Sequence, residues 1–288
     1  MRNFLMAFLA FLPVSLMAQG WQLVGFGGVA NYQGDLQDRR FTTQQAQIAL
    51  GLGIQYDINK YFSVRGMANY GRISADDRFN KDAGLRNRNL NFKSQILEGS
   101  IQGVFRFMDL ETKNWSPYLI AGVGVFGFDP YTYDTLGNKF YLQPLGTEGQ
   151  GLAAYPDREF YKRVQLVIPF GGGVMLRVNE RITLGYEVGL RKTFTDYLDD
   201  VSTTYADPDQ LLAARGPLAV QLAYRSDELK NGSANPNYPT GSVRGGPEFK
   251  DWYYFQGITV NFRLGNGGRS GYNGKSMGRQ LDCPRNIY

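Results

Sequence analysis

Residues 48–71, IALGLGIQYDINKYFSVRGMANYG, show an almost unbroken alternation of side-chain character. Alternate positions of the first half are apolar: Ile48, Leu50, Leu52, Ile54, Tyr56 and Ile58. The positions between them are small or polar: Ala49, Gly51, Gly53, Gln55 and Asp57. Because side chains two apart share a face only in a β-strand, the stretch predicts a strand, a short turn over residues 58–61 and a second strand. If the apolar face packs against protein, the chain is a sandwich or a ligand-binding barrel. If the apolar face contacts lipid, the chain is an outer-membrane barrel.

An apolar run, FLMAFLAFLPVSLMA, occupies residues 4–18 and follows Met1, Arg2 and Asn3. It is too short to cross about 30 Å of hydrocarbon as a helix. We interpret residues 1–18 as a secretory signal peptide that is cleaved after Ala18. No later segment contains about 18 uninterrupted apolar residues, so any membrane crossing must use strands.

The composition excludes several classes of function. The formal charge of +5 is modest and its Lys and Arg residues are scattered, which does not favour nucleic-acid binding. The chain has no His, so it has no Ser-His-Asp or Cys-His constellation and no His-ligated metal. The single Cys, Cys283, cannot form an internal disulfide. An enzyme would have to depend on carboxylates, Lys or Tyr alone. We predict that the protein is not an enzyme and that it uses no cofactor, metal or small-molecule substrate.

Segments of period two, bounded by turn residues, predict eight strands. They cover residues 21–32, 47–57, 61–73, 92–108, 116–128, 164–178, 182–193 and 252–264. The second, fourth and sixth strands are followed by short connections, and the other four connections are long. This asymmetry is typical of outer-membrane barrels, which have short periplasmic turns and long extracellular loops. Within the last loop, residues 207–229 have helical spacing broken at Gly216, which indicates one or two short helices.

The face opposite the apolar one mixes small and charged residues. We predict an interior polar network formed by Arg65, Glu98, Arg106, Glu187 and Arg191. An eight-stranded barrel is just wide enough for side chains, so we expect packed ion pairs, not a water-filled path or a catalytic carboxylate pair. Alternation alone leaves a lipocalin-like cup open, whose apolar face would point inward. The Gly-rich polar face and the loop asymmetry favour lipid outside.

The predicted fold class is therefore all-β: an eight-stranded antiparallel transmembrane β-barrel of the outer-membrane type. The barrel covers residues 19–264, and residues 265–288 form a periplasmic C-terminal tail. We expect the barrel to be surrounded by outer-membrane lipid. The expected location of the protein is the bacterial outer membrane, after cleavage of the signal peptide.

Three smaller motifs have competing interpretations. The glycines of GVGVFG, residues 122–127, match a dinucleotide fingerprint, but no helix pattern follows, so we expect them to relieve crowding inside the barrel. Four acids of the last loop match no compact calcium loop and are expected to be solvated: Asp199, Asp200, Asp207 and Asp209. Tyr118, Tyr131 and Tyr133 are expected in an aromatic girdle or in loop packing, with stacking on an external ligand as the alternative.

Five segments carry a family resemblance. They are NYQGDL at residues 31–36, SPYLIAGVGVFGFDP at 116–130, YLQPLGTEGQGLAAYP at 141–156, TDYLDDVSTTY at 195–205, and CPR from Cys283. Together they resemble the PorG-type outer-membrane β-barrels of Bacteroidota. The resemblance implies a component of the type IX secretion and gliding apparatus that contacts periplasmic ring-forming proteins. It transfers no catalytic residues.

The resemblance also implies where partners bind. Contacts are expected from the periplasmic turns and the tail, with Lys60, Lys113, Lys275, Arg279, Cys283 and Arg285 as possible contact residues. We therefore expect a non-enzymatic barrel that anchors or assembles a secretion complex. The alternative is a general structural or adhesin-like barrel that binds ligands through its extracellular loops. The loop over residues 141–156 is expected to fold over the barrel mouth, where Glu148 caps or pairs locally, and the alternative is that it docks a secretion-channel partner.

Overall fold

The computed structural model describes residues 20–37, 45–229 and 239–264. Its strands are β1 (Trp21–Gln33), β2 (Gln47–Asp57), β3 (Phe62–Asp76), β4 (Asn91–Arg106), β5 (Trp115–Phe128), β6 (Tyr131–Tyr133), β7 (Lys139–Tyr141), β8 (Val164–Arg177), β9 (Ile182–Thr193) and β10 (Trp252–Arg263). Its α-helices are α1 (Ala83–Arg88), α2 (Pro208–Arg215) and α3 (Pro217–Ala223). The predicted signal peptide and tail lie outside the described residues. Among the residues described, none of the helices has the length and apolarity that crossing a bilayer requires.

The eight long strands close into a barrel. Each pairs antiparallel with its neighbours in the order β1-β2-β3-β4-β5-β8-β9-β10, and β10 returns to β1. At this closing seam Gly28 lies opposite Gly257. A Cβ atom on Gly257 would collide with the main chain of Gly27 and Gly28. The seam therefore needs glycine, because two strands approach closely there.

The apolar face of the alternation points outward. Leu52 is 74% exposed and Ile101 is 64% exposed, whereas Gln55 and Glu98, on the opposite face, are buried. A lipocalin-like cup is therefore wrong, since its apolar residues would fill the interior. The fold prediction is confirmed: the chain forms an eight-stranded antiparallel barrel of the outer-membrane type, with an apolar belt around a polar interior.

The connections divide the barrel into two ends. Residues 58–61, 107–114 and 178–181 form what we call the short-turn end, where β1 begins and β10 finishes. Residues 34–46, 77–90, 129–163 and 194–251 connect strands at the opposite, long-loop end. Helices α2 and α3 lie where the spacing predicts them, and they are separated at Gly216, which has a φ of 83°.

The sequence did not reveal two loop elements. The β6–β7 hairpin adds to the barrel wall through the pairing of Tyr131 with Lys93. Its strands have three residues each, which is too short for a period of two to be recognised. Helix α1 is a single capped segment in which the Asp82 carboxylate accepts hydrogen bonds from the N–H groups of Gly84 and Leu85.

The barrel interior contains an aromatic layer towards the long-loop end. Its side chains are fully or almost fully buried, namely Tyr32, Phe92, Phe126, Tyr253 and Phe255. Tyr32 and Phe92 meet edge to face with ring centroids 4.9 Å apart, and the Tyr253 ring lies 5.3 Å from the Phe126 ring. The layer separates the charged middle of the barrel from the loops above it.

Candidate functional site

The first part of the site is an ion pair in the middle of the barrel. Arg65 on β3 and Glu187 on β9 form a bidentate contact, with Nη1–Oε2 at 2.8 Å and Nη2–Oε1 at 3.0 Å. The Tyr118 hydroxyl donates to Glu187 Oε2 at 2.9 Å, and Arg65 Nη2 donates to Gln102 Oε1 at 2.6 Å. Arg65 is only 1% exposed, so its charge is neutralised inside the protein, not by solvent.

A second ion pair lies nearer the aromatic layer. Arg191 Nε is 3.1 Å from Glu98 Oε2, which also accepts a hydrogen bond of 2.8 Å from the Tyr253 hydroxyl. Asn69 Nδ2 donates to Glu98 Oε1 at 2.9 Å. The Arg191 guanidinium also stacks over the Phe255 ring at 4.3 Å. Both oxygens of this carboxylate are thus occupied by protein donors.

The fifth predicted network residue lies apart from these four. Arg106 is at the short-turn end, where its guanidinium contacts Asp57 Oδ1 at 3.1 Å. Ser63 and Gln22 also donate to this carboxylate, at 2.6 Å each. The structure therefore places Arg106 in a separate cluster around Asp57, a residue that the sequence pattern did not single out.

These pairs fill the interior. A cavity lined by Phe26, Arg65 and Asn69 among others has a volume of about 10 Å³, which is space for about one water molecule. Glu98 and Glu187 each accept from an arginine and a tyrosine. Glu187 also lines this cavity, whose volume leaves room for about one water molecule beside the carboxylate. The geometry of these four residues thus fits a packed interior of ion pairs.

Tyr118 corrects an expectation. It belongs neither to an exterior girdle nor to a loop, because its ring is buried and its hydroxyl is bonded to Glu187. It occupies an inward position of β5, where the alternation from Ser116 places it.

The possible partner contacts are only partly described. Lys60 lies at the short-turn end with its side chain 57% exposed, and its Nζ is 3.6 Å from Asp109. Lys113 is exposed in the turn over residues 107–114. The remaining predicted contacts lie outside the described residues, namely Lys275, Arg279, Cys283 and Arg285.

The second part of the site is a polar cap over the long-loop end, which the sequence pattern did not predict in detail. At its centre Glu148 is fully buried and its Oε1 lies 2.9 Å from Arg244 Nη1. The same carboxylate accepts from the N–H groups of Ser202 and Thr203 and from the Thr203 hydroxyl. These partners are 54 to 96 residues away along the chain, so Glu148 does not pair locally as expected.

Another buried ion pair ties further loops to this centre. Asp77 accepts two hydrogen bonds of 2.7 Å from Arg88, which follows on α1. Arg88 also donates to the carbonyl oxygens of Asp35 and Arg244. One guanidinium thereby joins three of the four long loops, and burial raises the pKa of the Asp77 carboxyl in spite of this partner.

Two carboxyl groups of the cap share one tyrosine hydroxyl. Tyr32 Oη lies 2.6 Å from Asp199 Oδ2 and 3.0 Å from Asp251 Oδ1. A hydroxyl can donate only one proton, so one of the two carboxyl groups must carry a proton to complete both contacts. Burial raises the pKa of both Asp199 and Asp251, in agreement with this requirement.

The expectation that the loop acids are solvated is therefore wrong for two of them. Asp199 is 1% exposed, and Asp200 is fully buried, accepting hydrogen bonds from Thr147 and Tyr161. Burial raises the pKa of Asp200 to about 6. Asp207 instead caps α2. Across residues 20–37, 45–229 and 239–264, no group of three or more His, Cys, Asp or Glu side chains is placed to hold a metal ion.

The cap also explains where the motif-bearing segments go. Tyr32 and Asp35 come from residues 31–36, Glu148 from 141–156, and Asp199 and Asp200 from 195–205. These segments meet in one hydrogen-bonded assembly although they are far apart in the chain. Each of the three segments contains at least one acidic residue, but periodicity says nothing about which loops meet.

Comparison with solved structures finds small outer-membrane and surface proteins. Neisserial surface protein A is 9% identical, with 85% of this chain and 97% of that chain covered and a TM-score of 0.41. Ail, the attachment invasion locus protein of Yersinia pestis, in complex with the heparin analogue sucrose octasulfate, is 9% identical, with 84% and 97% covered and a TM-score of 0.39. The outer-membrane enzyme PagL is 10% identical, with 85% and 99% covered and a TM-score of 0.32.

No curated protein matches the sequence. Residues 1–212, however, match a family described as a domain of unknown function, and this match extends over most of the chain. It includes the first seven barrel strands and the motif-bearing segments of the cap up to residue 205. The chain therefore belongs to the DUF6089 family.

Proposed function

We propose that this protein is a non-enzymatic barrel of the bacterial outer membrane that anchors or assembles a secretion complex of the type IX class. The observation that carries the proposal is the combination of an apolar exterior with an interior closed by its own ion pairs. Such a molecule is held by lipid and offers no path for solutes, so its work is done at its two rims.

The short-turn end supports the assembly role. It would face the periplasm after export, and its connections are four to eight residues long. It exposes Lys60 and Lys113 to solvent. The predicted tail, residues 265–288, would emerge at the same end, because β10 finishes there at Arg263. The resemblance to PorG-type barrels supplies the class of partner, which is a periplasmic ring-forming protein.

The test is affinity purification of the tagged full-length protein from solubilised outer membranes. Ring-forming periplasmic proteins should co-purify with the wild type and should be reduced by the double substitution Lys60→Gln with Lys113→Gln. A matched control replaces Lys162 and Lys192, which are exposed at the long-loop end, with Gln. If no ring protein co-purifies and a deletion strain still secretes normally, the secretion role is excluded.

One observation favours a second function, the binding of external ligands through the cap. The cap is rigidly joined by buried ion pairs, yet it exposes apolar side chains at Leu136, Val243 and Phe249, which are 75–85% exposed. A preorganised surface with exposed apolar side chains is suited to contact with another molecule. Adhesion of intact cells to host or matrix material should then fall when Val243 and Phe249 are replaced by Ser. Co-purification of the ring-forming periplasmic proteins should be unchanged in the same variant.

A further inference from the structure

A group of cations and tyrosines lies on the outer wall of the barrel, just beyond the apolar belt at the long-loop end. We call it the rim patch, and its members are Arg72, Lys93, Tyr131, Tyr133, Lys139 and Tyr141. The outward residues of β3 run from Phe62 through Val64 and Ala68 to Tyr70, and Arg72 follows at the next outward position. The rim patch thus begins where the apolar belt ends.

The strand register brings the cations together. Arg72 lies opposite Gln95 and Lys93 lies opposite Ser74, so the two cations are diagonal neighbours on the outward face of β3 and β4. Tyr131 pairs with Lys93, which places the β6–β7 hairpin beside them. Tyr133 of that hairpin lies opposite Lys139, the third cation.

The tyrosines hold these cations in place without neutralising them. Lys139 Nζ lies 3.8 Å from the centre of the Tyr131 ring and donates to the Tyr141 hydroxyl at 3.0 Å. Lys93 Nζ is 5.4 Å from the Tyr133 ring, and Arg72 Nε donates to the Tyr70 hydroxyl at 2.9 Å. Cation–π contacts restrict an ammonium group while leaving its charge available to an anion.

The rim patch has an excess of positive charge. Within the described part of the chain, no carboxylate forms an ion pair with Arg72, Lys93 or Lys139. The nearest acid of the hairpin, Asp134, accepts hydrogen bonds from the N–H groups of Leu136 and Asn138 in its own turn. The hairpin is itself anchored to the cap, because Arg225 donates to the Thr132 hydroxyl at 2.6 Å and to the Tyr133 carbonyl oxygen at 2.9 Å.

We propose that the rim patch binds the phosphate group of an anionic lipid headgroup in the membrane leaflet that surrounds the long-loop end. Three cations converge at the height where headgroups meet the apolar belt, and the adjoining tyrosines suit that interface. The ligand is a lipid and not a free anion, because the apolar belt directly below the cations would contact its acyl chains. This inference rests on the proposed placement of the barrel in a membrane.

The test uses full-length protein in phosphatidylcholine nanodiscs that contain a small fraction of phosphatidic acid. Bound phosphatidic acid is counted by native mass spectrometry for the wild type and for Arg72→Gln with Lys93→Gln. The double substitution should weaken retention about tenfold or more, since each cation near a charged surface contributes to lipid binding. Adding Lys139→Gln should remove the remaining preference, and Arg72→Lys with Lys93→Arg should retain it.

The matched control is Lys162→Gln with Lys192→Gln, which removes two exposed cations at the same end of the barrel without touching the rim patch. The inference is overturned if this control loses as much lipid as the rim variant, or if the rim variant binds like the wild type. It is also overturned if inorganic phosphate at millimolar concentration displaces the bound phosphatidic acid from the wild type, since the site would then bind a free anion as well as a lipid. Failure of the protein to enter nanodiscs at all would instead contradict its placement in a membrane, and heat-modifiable migration on gels confirms that each variant is folded.

Discussion

At the level of single residues, the charges inside the barrel are paired so completely that removing one partner is costly. Arg65 has its three guanidinium nitrogens bonded to Gln102 and Glu187, and almost no solvent reaches it. The fold tolerates these charges because each one is surrounded by donors or acceptors of the opposite kind. The pairs therefore fix the interior arrangement more than they add to stability.

The substitution Glu187→Gln tests this pairing. It leaves the Arg65 charge buried without its counter-ion, so the free energy of unfolding should fall by about 3–5 kcal/mol. The measurement is urea unfolding in lipid vesicles, followed by tryptophan fluorescence. Lys60→Gln breaks the exposed pair with Asp109 and should change stability by about 0–1 kcal/mol. Equal losses for the two variants would contradict a buried ion pair at Glu187.

The buried carboxyl group of Asp196 should make the stability of the cap depend on pH. Burial raises the pKa of its carboxyl to about 7, although the Ser202 hydroxyl donates to it at 2.7 Å. In the unfolded chain the pKa is about 3.9, so between about pH 4 and pH 7 the folded state binds more protons than the unfolded state. Stability should therefore fall as the pH rises through this interval and level off above it.

The variant Asp196→Asn should reduce that slope, because an amide oxygen accepts the same hydrogen bond and never ionises. Its thermal midpoint at about pH 8 should exceed that of the wild type by about 2–5 °C, and the difference should shrink at about pH 4.5. Thermal unfolding in detergent at both pH values measures this. An unchanged difference at the two values would show that Asp196 does not titrate in the folded protein.

At the level of strands, the closing seam between β1 and β10 depends on close approach of two backbones. The inward position of Gly257 has no room for a methyl group, because the carbonyl oxygen of Gly27 and the Cα of Gly28 occupy that space. Gly99, by contrast, lies on the exposed outward face of β4, where a methyl group would point into open space.

Gly257→Ala should accordingly destabilise the barrel by about 1–3 kcal/mol, which is typical of overpacking. Gly99→Ala is the matched control and should leave the unfolding midpoint almost unchanged. Both are measured by the fraction of unboiled protein that migrates as the folded form after graded heating. A seam that tolerates Gly257→Ala would mean that β1 and β10 can separate without loss of the fold.

Across the entire barrel, the ion pairs, the aromatic layer and the cap close the lumen in succession. Reconstituted protein should therefore show negligible single-channel current in planar bilayers, since a water-filled lumen needs about 16 strands. A porin of about 16 strands in the same bilayer serves as the positive control. Sizeable, reproducible currents from the wild type would contradict a barrel plugged by its own side chains.

The number, position and direction of the barrel strands could be predicted from the amino-acid order. Alternation is a local property, so the eight strands could be located to within a few residues from the succession of apolar and polar side chains. The same pattern identified the inward charges Arg65, Glu98, Glu187 and Arg191, because every inward residue of a narrow barrel must meet others across it.

How the long loops join became known only from the folded chain. Alternation by itself is identical for a lipocalin-like cup and an outer-membrane barrel, so the prediction of lipid outside depended on the Gly-rich polar face and the loop asymmetry, and the closed sheet confirmed it. In the cap, Tyr32 meets Asp251 across 219 residues and Glu148 meets Arg244 across 96. No period in the sequence encodes such pairs, because loop contacts depend on the positions at which the barrel strands end and begin.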